Sequence, residues 1–181
     1  MELTKSQIDI ALPKVKEGLA KYQTIQALYK GTNINSDRDF QRKFNHFYRV
    51  RRGQDWQKPF YELLEKAKYQ DLTFEGVLEE LARLTGRLEA SFSSKLLATV
   101  YPDKAILDSV VLKNLGLKLP YAGAKNRQQK IVSVFEALDD KLVELLKSEI
   151  GDYLVDRFTA MYPKSGITKI KMLDLVLWQI R

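Results

Sequence analysis

The chain has 181 residues, 45% of them hydrophobic, enough to bury a core without covalent or metal staples and near the usual size of one domain. It contains no cysteine, which excludes a disulfide framework, a thiolate zinc or iron–sulfur centre and a cysteine nucleophile, and is what a reducing compartment favours. The net charge of +7 is uneven, with +6 in residues 1–53, −3 in 54–90, +5 in 91–130 and −1 in 131–181.

Two basic blocks of this kind attract phosphate backbones; they also do no more than keep a protein soluble in many chains. The opening MELTKSQIDIALPKVKEG alternates charge with apolar residues and holds no apolar run of signal-peptide length. No later run approaches the roughly 20 apolar residues that cross a bilayer. The expected location is cytoplasmic, with no membrane partner.

The segment SDRDFQRKFNHFYRVRR reads as a helix capped by Ser36, with Asp37 and Asp39 favourable in its positive first turn. Continued to its end at helical spacing, it sets Arg38, Arg42, Asn45, Arg49 and Arg52 on one stripe and Phe40, Phe44 and Phe47 on another face. Guanidinium groups suit phosphate because they offer a planar fork of donors and stay charged. A solvated outer face is the plainer reading of the same stripe. His46, the only histidine, has no second histidine or carboxylate cluster beside it in sequence, so no metal site is expected.

Thr73 is a suitable cap for TFEGVLEELARLTG, with Leu72 and Val77 spaced for a hydrophobic staple and Gly86 as its stop. Pro102, Gly116 and Pro120 punctuate the middle of the chain, so elements there should be short. The stretch 118–130, KLPYAGAKNRQQK, reads as a connection to a C-terminal lobe. Beyond it Ile131, Phe135, Leu138, Leu142 and Leu145 recur every three or four residues, as on an amphipathic helix packed on a core. SEIGDYLVDRFTAMYP predicts another helix ending before Pro163, and ITKIKMLDLVLWQIR a buried terminal helix anchored by Trp178. Polar–apolar alternation never persists long enough between turn signals to predict a sheet. The expected fold is all-α: a single domain over 1–181, a compact two-lobed bundle of about eight or nine helices.

The segment 86–118, GRLEASFSSKLLATVYPDKAILDSVVLKNLGLK, runs from a helix ending through a turn to a helix with Lys95, then past Pro102 to Asp108 leading a short helix that ends near Gly116. Lys95 in SSKLLATV, and Asp108, Val110, Val111, Leu115 and Gly116 in DSVVLKNLG, resemble the corresponding parts of the helix-hairpin-helix superfamily of DNA glycosylases. The family hairpin usually carries a glycine, whereas EASFSSK, read here as its counterpart, carries none. The resemblance implies a DNA-repair activity on double-stranded DNA without a cofactor, in which a damaged nucleotide is flipped out before its glycosidic bond is cut. It makes Lys95 the amine that attacks the sugar and Asp108 the carboxylate that activates it or stabilises positive charge on the sugar. Arg38, Arg42, Arg49, Arg52, Lys113, Lys125 and Arg127 are the expected nucleic-acid contacts, and Phe92, Tyr101 and Tyr121 the candidate stacking surfaces. Each residue also has an ordinary role open to it: Asp108 as a helix cap, Lys95 as a stem laid over the core with its amine in water. The alternative at protein level is a non-catalytic helical module that binds nucleic acid or a protein partner.

Overall fold

The computed structural model describes residues 3–180, and every regular element among them is helical, as the periodicity predicts. In chain order the α-helices are α1 (Lys5–Ala11), α2 (Lys16–Gly31), α3 (Arg38–Tyr48), α4 (Gln54–Lys66), α5 (Phe74–Thr85), α6 (Ala90–Val100), α7 (Ser109–Asn114), α8 (Arg127–Leu146), α9 (Glu149–Met161) and α10 (Lys169–Gln179), with a 3-10 turn at Ala67–Tyr69 after α4. A tight 3-10 turn at Leu12–Val15, holding Pro13, joins α1 to α2 in one helical path. Taken as one rod, that path brings the described helices to nine.

Most helices start on a side-chain cap that occupies otherwise unpaired amides. Thr73, Asp108, Ser148 and Thr168 each accept a backbone N–H from the first turn of the helix they precede. The cap of α3 differs from the expected one: Asp37 accepts the Phe40 amide at 2.9 Å, while the Ser36 hydroxyl donates back to the Asn33 carbonyl. That helix also ends early. Arg49 turns left-handed at φ 54° and the Val50 amide donates to the Asn45 carbonyl, so residues 49–52 leave the helical path. Gly86, at φ 72°, closes α5 as anticipated.

The centre of the molecule is α10, in which residues 170–177 are buried without interruption. A helix buried on every side is surrounded by its neighbours; α10 packs against α1, α7, α8 and α9. Since α1 also packs on α9, the first helix joins the last ones. Buried residues on both sides of the 118–130 stretch belong to one contiguous core. Only the first part of that stretch is a connection, because α8 begins at Arg127 and residues 127–130 are its first turn. The turn between α8 and α9 is tight: a Cβ on Gly151 would lie 1.9 Å from the Leu145 carbonyl oxygen, so only glycine fits there without moving backbone. Trp178, expected as a buried anchor, is only partly buried, with the Arg49 guanidinium 5.1 Å from its ring centroid.

A candidate active centre at Lys95

The four residues between α5 and α6, Gly86–Glu89, form the turn of a helix–turn–helix pair, and these two helices pack on each other. The turn therefore does carry a glycine. EASFSSK is not a hairpin but the cap and opening turns of α6, which corrects the alignment drawn from sequence. Lys95 stands in the middle of α6, pointing back to the end of α3.

Its amine donates to the Tyr48 carbonyl oxygen at 3.2 Å, the last carbonyl of α3, one of those left without a partner by the helix end. The Phe92 and Tyr48 rings flank it, with centroids 4.9 and 5.8 Å away. Among the described residues no carboxylate lies within 4.0 Å of this amine. Burial pushes the Lys95 amine below the ordinary lysine value of 10.5. Asp108 and Asp174 draw it back up from a distance, while Arg49 and Lys171 add to the lowering. The result is an ammonium disfavoured by its surroundings and two carboxylates within electrostatic reach.

Asp108 stands at the start of α7, its Oδ1 accepting the Val110 amide at 2.8 Å. One oxygen thus serves as a cap. Lys95 is coupled to Asp108 through space rather than through a direct ion pair.

On α10 stands another lysine, this one buried. Lys171 pairs with Asp174 at 2.6 Å, with the Tyr22 ring centroid 4.6 Å and the Phe47 centroid 5.7 Å from its amine. Neither residue was singled out from the sequence. The signal was present in KIKMLD, where a lysine and an aspartate three apart interrupt an apolar helix, a spacing at which side chains meet.

The arginine stripe does not survive as one face. Arg52 turns inward, its guanidinium 3.0 Å from Glu89 and near the Trp56 and Phe92 rings, so it shares Phe92 with Lys95. Asn45 is also directed inward, donating to Gln57 and accepting from the Tyr61 hydroxyl at 2.6 Å. Arg42 pairs with Asp39 on the exposed side of α3. Arg38 donates to Gln41 and lines a polar cavity of about 370 Å³ with Asn35, Gln54 and Gln57. Arg49 is exposed and acts electrostatically on Lys95. No described contact ties Arg38, Arg42, Lys113, Lys125 or Arg127 to that amine. Lys113 and Lys125 are exposed; Arg127 is half-buried, its Nε unpartnered.

Of the candidate stacking residues, Phe92 lies against Lys95, Tyr121 is 76% exposed, and Tyr101 is elsewhere, its hydroxyl accepting the Leu72 amide at 3.2 Å. His46 Nε2 is 3.1 Å from the Lys21 amine, which also pairs with Glu17. Among the described residues no group of three or more histidines, aspartates and glutamates could hold a metal ion. No helix among them is long and apolar enough to cross a membrane. No family model matches the chain, and neither a curated protein nor a solved structure matches it.

Proposed function

We propose that the protein binds DNA and acts on it as a glycosylase of the helix-hairpin-helix kind, with the Lys95 amine as nucleophile and Asp108 as its nearby carboxylate. The observation that carries this reading is the state of Lys95: a largely buried amine, depressed by its surroundings, flanked by aromatic rings and with no carboxylate in salt-bridge contact. A neutral amine, with its lone pair free, is what attack on the anomeric C1′ requires.

In the proposed reaction the Lys95 lone pair forms a bond to the sugar C1′ as the glycosidic bond breaks, and the base leaves with the electron pair of the glycosidic bond and takes a proton from water. Asp108 stabilises the positive charge that builds on the sugar and accepts the proton the new nitrogen sheds. The nitrogen lone pair then forms the C1′=N bond as the C1′–O4′ bond breaks, and O4′ leaves with that bond's pair and takes the proton back from Asp108, which leaves a protonated Schiff base between C1′ and Lys95. The exposed Arg49 and Arg51, on the loop that follows α3, are the groups proposed to meet the phosphates beside a flipped nucleotide.

The test is incubation with duplexes carrying uracil, oxidised guanine or an alkylated base, with borohydride present to reduce a Schiff base to a stable amine. Base release with a trapped adduct, both lost in Lys95→Met, is the expected result. Neither release nor adduct on any of these duplexes would overturn the catalytic reading. The capping bond of Asp108 and the Tyr48 bond of Lys95 favour a second reading, in which both are structural and the protein binds DNA without turnover. That reading expects duplex affinity that falls with salt and is unchanged in Lys95→Met.

A further inference from the structure

A cavity of about 610 Å³ lies where the end of α2, the residues after α4 and the end of α6 meet, lined by Tyr29, Lys30, Lys68, Tyr69, Gln70 and Tyr101 among others. None of its lining residues belongs to the Lys95 centre. Three of them are tyrosines in three different states.

Tyr101 is fixed: its hydroxyl accepts the Leu72 amide and donates to the Gln70 carbonyl, so the 70–72 loop and this ring form a set wall. Tyr29 is 7% exposed, and its hydroxyl has no hydrogen-bonding partner. A buried hydroxyl left unpaired is disfavoured; this one is closed to solvent, so a ligand atom that pairs with it, and gains what the fold has left open, must part the side chains that cover it. Burial, and then Glu65, push that hydroxyl up to about 12, so it remains a donor at neutral pH. Tyr69 is the opposite case, a large ring 81% exposed beside a cavity. A planar apolar surface left in water at a pocket is a stacking platform in waiting.

The charges narrow the class of ligand. The Lys68 amine already lies 5.3 Å from the Tyr29 ring centroid and is held by Glu65 at 2.8 Å and by the Thr32 carbonyl, so this tyrosine's cation site is filled from within. That disfavours an organic cation as occupant. Two exposed charges line the cavity: Lys30, in no described ion pair and open to an anion, and Asp71, which disfavours one on its own side. An aromatic plane for stacking, a buried hydroxyl donor and a free ammonium together match the three parts of a nucleotide: base face, base edge and phosphate.

We infer that this cavity is a nucleotide-binding site, separate from Lys95, that takes one unpaired nucleotide by stacking on Tyr69, with its base edge at the Tyr29 hydroxyl and its phosphate at Lys30. The inference does not rest on the chemistry at Lys95. The experiment is calorimetric titration of the full chain at low salt with deoxyadenosine 5′-monophosphate, deoxyadenosine, inorganic phosphate and single-stranded pentadeoxyadenylate. Saturable binding of the mononucleotide, or of the oligonucleotide where the nucleotide must come within a strand, is expected, with inorganic phosphate alone not binding. Tyr69→Ala, at an exposed position that leaves the fold intact, should weaken binding by about tenfold or more, the size that ring stacking supplies. Lys30→Ala should weaken the nucleotide and leave the nucleoside unchanged. No saturation by either nucleotide probe at millimolar concentration, or an affinity unchanged in Tyr69→Ala, overturns the inference whatever the borohydride experiment gives.

Discussion

Two lysines lie close together in this molecule, Lys171 buried and Lys95 half-buried with its amine drawn among aromatic rings, and the groups facing the two amines differ. Lys171 on α10 is neutralised by Asp174 at 2.6 Å, whereas Lys95 on α6 has a backbone carbonyl at 3.2 Å and its carboxylates only at a distance. Both are set against aromatic rings. A paired buried ammonium is a structural element, since removing its partner leaves a charge that the interior cannot solvate. An unpaired one relieves itself by losing its proton, which turns it from a structural group into a reactive amine.

The contrast can be broken most forcefully at the partner. Asp174→Ala should destabilise the protein by about 3–5 kcal/mol, because Lys171 would remain buried and unmatched; urea unfolding measures it, and a loss under about 1 kcal/mol would mean that Lys171 escapes to water. Lys95→Met should cost less, about 1–2 kcal/mol, since a thioether of similar length strands only the Tyr48 carbonyl and no paired charge. A loss as large as that of Asp174→Ala would make the two lysines alike.

Arg49→Gly sharpens the picture from the other side. The left-handed conformation at φ 54° is unfavourable for arginine by about 1 kcal/mol and natural for glycine, so the variant should be slightly more stable, less what the guanidinium gains over Trp178. Its affinity for duplex DNA should fall, a gain in stability with a loss of binding that a purely structural Arg49 would not produce. The smallest effect is reserved for Arg42→Ala, which removes only an exposed pair with Asp39 and should leave the melting temperature unchanged.

The pH dependence has a definite sign. A folded-state amine depressed below 10.5 makes the folded protein bind fewer protons than the unfolded chain over the interval between the two values. Stability contributed at Lys95 is therefore present above 10.5 and is lost as pH falls through the lowered value. Measured against Lys95→Met, the parent should gain relative stability as pH rises towards 10.5; a flat difference would remove the depression.

The sequence made the helices legible because their apolar residues recur at helical spacing and their caps are local: Thr73, Gly86 and Asp108 all stand where one turn of chain decides the matter. The end of α3 was not legible, since Arg49 and Arg52 continue the helical spacing past the point where the backbone turns left-handed at Arg49. Likewise the inward turn of Arg52 depends on Glu89, 37 positions on, a tertiary pairing that no local pattern contains. The proximity of Lys95 to Asp108 was an inference from resemblance; the roles of Tyr48, Asp174 and Lys171 around them came only with packing.

The most direct measurement is an NMR titration of the Lys95 side chain, with its 13Cε signal assigned by loss in Lys95→Met. The account predicts a midpoint clearly below 10.5, moving up when Arg49 is replaced by glycine, because Arg49 adds to the depression. A midpoint at or above 10.5 would contradict it, leaving Lys95 as a second structural ammonium beside Lys171.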